Sequence, residues 1–418
     1  MTIKNAFYAQ SGGVTAVINA TACGVIQAAR QHPDKIGTVY AGRNGILGAL
    51  REELIDTNQY SDEEIAALRH TPAGAFGSCR FKLRSIEESR AEYERLIEVF
   101  KAHNIGYFFY NGGNDSQDTA HKVSQISETM GYPIQCIGIP KTVDNDLPIT
   151  DFCPGFGSVA KYVAVSIKEA SLDIASMCES STKVFIMEVM GRHAGWIAAA
   201  GALAQQEEGD APHIILFPEV AFDREKFLAK VKHCVETYGY CSIVASEGTH
   251  TGDGSFLAAS EASVDAFGHA QLGGVAPVLA NLIKGELGYK YHWALADYLQ
   301  RSARHIASKT DVDLAYQAGK KAIEYALEGL NSVMPAIQRL ENGEWGFIPA
   351  PLKDIANVER FMPKSFISED GFGITQAGRD YLLPLIQGED YPPYENGQPV
   401  YVKLAHNLTP KKLANFDI

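Results

Sequence analysis

The feature that most constrains this chain is a repeated alternation of short apolar runs with longer amphipathic stretches. Ala6 to Ala9, Ile36 to Ala41, Ile105 to Tyr110, Ile134 to Ile139, Lys183 to Val189, His213 to Phe217 and Cys241 to Ser246 read as strands. Between them, Val14 to Arg30, Ile86 to His103, Ser116 to Met130, Ser158 to Ser176, Ala194 to Gln205 and Arg224 to Tyr238 carry helical periodicity. Ser61 followed by Asp62, Glu63 and Glu64 adds an N-cap with acids in the first turn. Strands that alternate with helices pair in parallel and are covered by helices on both faces, so the expected class is α/β.

The length of 418 residues gives a prior of two to three domains. A stretch rich in Asp, Pro and Gly between Asp146 and Gly157 lacks periodicity and marks a break between two arrays. After the helix Val312 to Leu330 the style changes. Glu341-Asn342-Gly343-Glu344 reads as a hairpin turn, and six prolines from Pro349 to Pro393 punctuate an irregular tail. The expected units are 1–146, 147–331 and a C-terminal extension, 332–418, packed on both. The longest small-apolar run, Gly195 to Ala204, is too short to span a bilayer, and no apolar segment precedes the first strand. Seven scattered cysteines without a C-x-x-C pair read as reduced thiols filling a core, which suits a cytoplasmic protein.

The net charge of −13 argues against a nucleic-acid or anionic-membrane surface. It is unevenly spread. Residues 51–65 hold six acids and one base, and residues 205–265 hold eleven acids and four bases. Together these segments account for −12 of the total, and the first 50 residues carry a net +3. A phosphate site is therefore compatible with the acidic total, provided that it is built locally.

In an open parallel sheet the ligand crevice lies beyond the carboxyl ends of the strands. The first strand runs into Gln10-Ser11-Gly12-Gly13, which serves either as a phosphate cradle at a helix N-terminus or as a tight turn needing positive φ. Ile105 to Tyr110 runs into Asn111-Gly112-Gly113-Asn114-Asp115-Ser116, where Asp115 or Ser116 can cap a helix or face a ligand. Ile134 to Ile139 runs into Pro140-Lys141-Thr142-Val143-Asp144-Asn145-Asp146. Two carboxylates two residues apart, with a lysine just upstream, allow one to take a proton or bind a metal while the other is held apart. Gly155-Phe156-Gly157-Ser158-Val159-Ala160 fits a dinucleotide pattern but follows no strand, and His193 reads as a helix-start packing residue.

Taken in order, these loops resemble the phosphofructokinase superfamily, and its pyrophosphate-dependent 6-phosphofructokinases most of all. The resemblance spans roughly Asn5 to Gly319. It rests on Ser11-Gly12-Gly13, Gly77-Ser78-Cys79-Arg80, Gly112 to Ser116 and Thr142-Val143-Asp144-Asn145-Asp146. Further along it includes Met187-Glu188-Val189-Met190-Gly191-Arg192, Glu247-Gly248 and Tyr298-Leu299-Gln300-Arg301. It implies two Rossmann-like, three-layer parallel-sheet domains and transfer of a phosphoryl group to C1 of fructose 6-phosphate.

The resemblance implies these roles. Asp144 is the general base, Lys141 the cation at the transferred phosphoryl group, and Asp115 part of the donor site. Gly12, Gly13, Arg80, Gly112 and Gly113 bind the diphosphate. Thr142, Val143, Asp144, Met190, Gly191, Arg192, Glu247, Tyr298, Leu299, Gln300 and Arg301 bind the sugar phosphate, with Arg301 on its 6-phosphate. Lys183 stands where relatives carry an arginine that reaches a neighbouring subunit, so a dimer or larger homo-oligomer is expected. Mg²⁺ is the implied cofactor, with Asn114 and Asp146 near it. Asn114 replaces the family's usual aspartate and lacks its charge.

Asp115 and Lys141 stand where ATP-using relatives tend to have glycine. Asp115 would occupy the place of a nucleotide α-phosphate. Two like charges ~4 Å apart cost roughly 4 kcal/mol at an effective dielectric of about 20, on the order of a thousandfold in binding. The resemblance thus implies pyrophosphate as donor. The alternatives are an ATP-dependent 6-phosphofructokinase and, from another class, a non-catalytic regulatory subunit of the same fold.

Overall fold

The computed structural model describes residues 3–264, 270–272 and 274–417. Its first sheet runs Trp345–Pro351, Val333–Arg339, Gln135–Pro140, Ile105–Gly112, Lys4–Ser11, Ile36–Gly42 and Leu54–Asp56, with the short strand Ser78–Cys79 beside the end of Lys4–Ser11. The four strands from Gln135–Pro140 to Ile36–Gly42 pair in parallel, as the alternation requires. Residues from both faces of these strands are buried, the mark of a parallel sheet covered on two sides. Phe7, Phe100, Phe108 and Tyr110 pack together on one face, and Ala6, Tyr8, Phe109 and Ile137 on the other.

A second, four-stranded parallel sheet runs Tyr291–Leu295, Val184–Val189, Cys241–Ser246 and Ile214–Leu216. The fold is thus the expected α/β arrangement of helix-covered parallel sheets. The helix Val275–Leu287 and the edge strand Tyr291–Leu295 were not anticipated. The expected helix Ala194 to Gln205 is a single turn, Trp196–Ala200, continued as 3₁₀ to Ala204. Its alanines and Trp196 are core, as read.

Two segments pack differently from the expected division. The helix Lys309–Leu327, assigned to the second unit, lies against Ile18–Arg30 of the first, with Ala318, Ala322 and Ile323 in the core that holds Ala22, Val25 and Ile26. The hairpin around residues 341–344 forms as expected, but it extends the first sheet, with Val333 beside Ile137. Beyond it, segment 357–361 reaches the cavity between the sheets. Among the described residues no helix is long and apolar enough to cross a membrane.

Candidate active site

The carboxyl ends of the first sheet's strands face those of the second across a cavity of about 760 Å³. It brings together Gly12, Gly13, Arg80, Gly113, Asn114, Asp115, Lys141, Thr142, Val143, Asp144, Asp146, Met190, Arg192, Glu247, Tyr298 and Arg301. Sixteen of the twenty-one site residues named above therefore meet in one place, although they are spread over some 290 positions of the chain.

The Gly12–Gly13 loop makes the tight turn, but the helix expected to start at Val14 begins only at Ile18, so the loop is not at a helix N-terminus. Gly12 has φ 73, a left-handed turn at the end of the strand Lys4–Ser11. The loop is also approached closely by cations. A Cβ on Gly12 would lie 3.3 Å from Lys141 Nζ, and one on Gly13 would lie 2.6 Å from Arg301 Nη1 and 3.5 Å from Arg80 Nη2. Three positive side chains thus converge on bare backbone, a locally built anion site within an acidic chain.

Opposite, the helix Asn114–Thr129 points its N-terminus into the cavity. It begins two residues earlier than the sequence suggests, with Gly113 as N-cap, so Asp115 lies in the first turn instead of capping it. Asp115 forms an ion pair with Lys82 at 2.7 Å. Lys82, which also lines the cavity, was missed, and its charge reduces the repulsion argued above for an α-phosphate. Gly112 does not line the cavity, and no side chain fits there: a Cβ would meet Ser116 Oγ at 2.1 Å. Ser116 Oγ in turn donates to Ser11 Oγ at 2.8 Å, tying the two glycine loops together.

The loop after Gln135–Pro140 carries the acid–base groups. Lys141 is buried, and its Nζ donates to the Gly13 carbonyl at 2.8 Å. Desolvation pulls its pKa down to about 8, against the opposing pull of Asp144 and Asp146. The Asp144 carboxyl is pushed up by burial first, then by the charges of Asp146 and Glu247. Asp146 is also raised by burial, while a hydrogen bond from Thr142 opposes the shift. A half-buried carboxylate with raised proton affinity beside a cation is suited to accept a proton. Two carboxyls so closely coupled titrate as a pair.

The far wall comes from the second sheet. Glu247 follows Cys241–Ser246 and accepts from the Gly191 N–H at 3.4 Å. Gly191, with φ 129, turns the chain beneath the cavity without lining it. Gln300 is buried and outside the cavity, where its Oε1 accepts from the Met190 N–H at 3.2 Å, so it supports a wall residue. Leu299 is 64% exposed and also lies outside the cavity. Arg301 stacks on Tyr298, with its guanidinium 3.9 Å from the ring centre. Arg301 also sits at Gly13 beside Arg80.

Lys183 does not contribute to this cavity. It precedes the strand Val184–Val189, and its Nζ donates to the carbonyls of Cys178 and Glu179. Six residues of strand, roughly 20 Å, separate it from the site.

His193, Asn357, Glu359, Arg360 and Phe361 line the cavity and were missed. His193 is paired with Glu359 at 3.1 Å, not packed at a helix start as expected. The others come from the Pro-rich extension, where no periodicity or motif marks them.

One family model, described as phosphofructokinase, matches residues 5–325. A Halomonas elongata protein named pyrophosphate--fructose 6-phosphate 1-phosphotransferase is 67% identical, covering all of both chains. A Methylococcus capsulatus protein of the same name is 66% identical, covering 99% of each. The crystal structure of a pyrophosphate-dependent phosphofructokinase from Marinobacter aquaeolei superposes with a TM-score of 0.91 at 63% identity, covering 100% of both chains.

Proposed function

The chain belongs to the phosphofructokinase family, and from that premise we propose both its reaction and the residues that carry it. The reaction is transfer of a phosphoryl group from pyrophosphate to C1 of fructose 6-phosphate, giving fructose 1,6-bisphosphate and phosphate. The observation that supports the residue set best is one cavity holding three cations at Gly12–Gly13 and the Asp144 carboxyl on the next loop.

Pyrophosphate lies along Gly12, Gly13, Gly113 and the N-terminus of Asn114–Thr129, with Arg80 and Lys141 on its oxygens. Asp144 takes the proton from the C1 hydroxyl as the C1 oxygen attacks the near phosphorus in line. Phosphate leaves, and Lys141 stabilises the charge that builds on the transferred and leaving groups. Glu247, Met190 and Arg192 orient the sugar, and Thr142 steadies the loop by accepting from the Asp144 N–H at 3.1 Å.

Mg²⁺ fits this site. Both polar side-chain atoms of Asn114 and one oxygen of Asp146 are buried without a hydrogen-bond partner, and oxygen donors suit a hard divalent cation. Asn114 and Asp146 would hold it, and it would neutralise phosphoryl oxygens there. Asn114 brings a carbonyl oxygen without charge, so more of the neutralisation falls to Lys141 and Arg80. The protein acts in the cytoplasm. The direct test is fructose 6-phosphate-dependent phosphate release from pyrophosphate with Mg²⁺ present; no release would contradict the reaction.

Donor choice rests on Asp115 together with Lys82. The ion pair at 2.7 Å fills the donor pocket where an α-phosphate would continue. Asp115→Gly removes the carboxylate and frees Lys82 for that phosphate. It is expected to raise kcat/KM for ATP about tenfold, equivalent to ~1.4 kcal/mol. That is less than an unpaired aspartate would give, since both partners are part-exposed. Unchanged ATP kinetics in the folded variant would remove Asp115 from donor selection.

A homo-oligomer of at least two chains is favoured by the outer edge of the second sheet. Tyr291–Leu295 has no strand partner on that side among the described residues. Trp293, Leu295, Tyr298 and Leu299 are all exposed along it, forming an apolar surface next to the sugar wall. Light scattering is expected to give at least twice the 45.5 kDa chain mass, and a monomer at working concentration would contradict this.

A further inference from the structure

The loop from Lys141 to Gly155 carries the acid–base residues yet has little regular structure of its own. Asn145, between Asp144 and Asp146, has φ 55, and Ile149 has φ 65. Asparagine tolerates such a conformation, but a β-branched residue such as Ile149 holds it only where its surroundings over-determine it. Here the surroundings are largely one side chain from the C-terminal extension. Arg360 donates to the Asn145 carbonyl from Nε at 3.1 Å and from Nη2 at 2.7 Å. Its Nη1 donates to the carbonyls of Thr150 at 2.7 Å and Asp151 at 3.0 Å, and Nη2 also reaches the Tyr381 hydroxyl at 3.3 Å. Every N–H of the guanidinium is thus engaged.

The backbone repeats the link, because the Arg360 N–H donates to the Asp146 carbonyl at 2.7 Å. Asn145 is anchored from its other end by Nδ2 on the Tyr381 hydroxyl at 2.7 Å and by Oδ1, which accepts from the Cys153 N–H at 3.0 Å. The Arg360 guanidinium lies over Trp196, 4.9 Å from the ring centre, which fixes its plane.

We propose that Arg360 is a positioning residue for the reaction: by holding the Asn145 carbonyl it sets the Asp144 and Asp146 carboxyls in their reacting arrangement, and the extension is thereby part of the active site. The inference rests on Asp144 as base. A lysine cannot substitute, because it lacks the planar fork that serves three carbonyls at once.

The test uses Arg360→Lys, Arg360→Gly and Tyr381→Phe in the full chain, with thermal melting alongside kinetics and Asp144→Asn as reference. Arg360→Lys is expected to lose at least about tenfold in kcat while KM for both substrates changes less than about threefold, since misaligned groups cost rate before binding. Added guanidinium ion at millimolar concentration is expected to restore part of the kcat of Arg360→Gly. Tyr381→Phe is expected to lose kcat in the same direction, and its loss is expected to be less than multiplicative with Arg360→Lys. Folded Arg360→Lys and Tyr381→Phe with kcat within about twofold of the parent would overturn the proposal, as would a change confined to KM. Should Asp144→Asn remain active, the base assignment fails first; should it be inactive while Arg360→Lys is not, only the positioning role fails.

Discussion

Asp144→Asn in the full chain is expected to lower kcat by about 10²–10⁴, the usual worth of a positioned general base. The substitution keeps size and shape, so the loop around it should survive. Its neighbours are held independently: Asn145 by Arg360 and Tyr381, Lys141 by the Gly13 carbonyl. Removing one negative charge from a site that crowds Asp144, Asp146 and Glu247 also relieves repulsion, so melting temperature should stay level or rise. The predicted combination is therefore a folded protein that binds both substrates and turns over very slowly. Full activity in that variant would remove Asp144 from the chemistry.

Lys141→Met is the second large effect. Lys141 is the cation closest to the Asp144–Asp146 pair and to the bare Gly12 backbone. Its loss removes preorganised stabilisation of the phosphoryl oxygens, which from comparable donor deletions elsewhere costs about 10²–10³ in kcat. It also leaves two half-buried carboxyls without their nearest positive charge, which raises their proton affinity and disables the base at neutral pH. Arginine is not an adequate replacement in so closed a place. A pH experiment separates this from general damage. With its pKa lowered to about 8, Lys141 keeps its charge in the free enzyme only below that pH. In the parent, kcat/KM for pyrophosphate should fall as pH rises through about 8, and Lys141→Met should lack that alkaline limb. An identical limb in the variant would assign it to another group.

Part of this site was legible because three of its loops follow strands that periodicity marks. Gly12–Gly13, Gly113–Asp115 and Lys141–Asp146 sit where strands end, and a parallel sheet brings its strand ends to one edge. Glu247 and Met190 were placed only by the motifs that carry the resemblance. Residues that act through distant partners were not legible. Lys82 gains meaning only from Asp115, 33 positions on, and Arg360 only from carbonyls more than 200 positions earlier. Nothing in the local spacing of an irregular, proline-rich tail marks its arginine as a brace for the catalytic loop. The charge argument was incomplete in the same way. Asp115 read alone gives a strong repulsion, but Lys82 cancels part of it. Lys183 and Leu299 lie outside this chain's own cavity. The edge strand Tyr291–Leu295 escaped notice because its exposed Trp293 and Leu295 break the pattern of buried strands around it.

This cavity is expected to take pyrophosphate, and not a nucleotide, as phosphoryl donor to fructose 6-phosphate. Initial rates with pyrophosphate and with ATP, measured side by side on one preparation at saturating fructose 6-phosphate and fixed free Mg²⁺, test it most directly. The prediction is a kcat/KM for pyrophosphate at least about a hundredfold above that for ATP, with fructose 1,6-bisphosphate formed in step with phosphate. Equal or better use of ATP would contradict it.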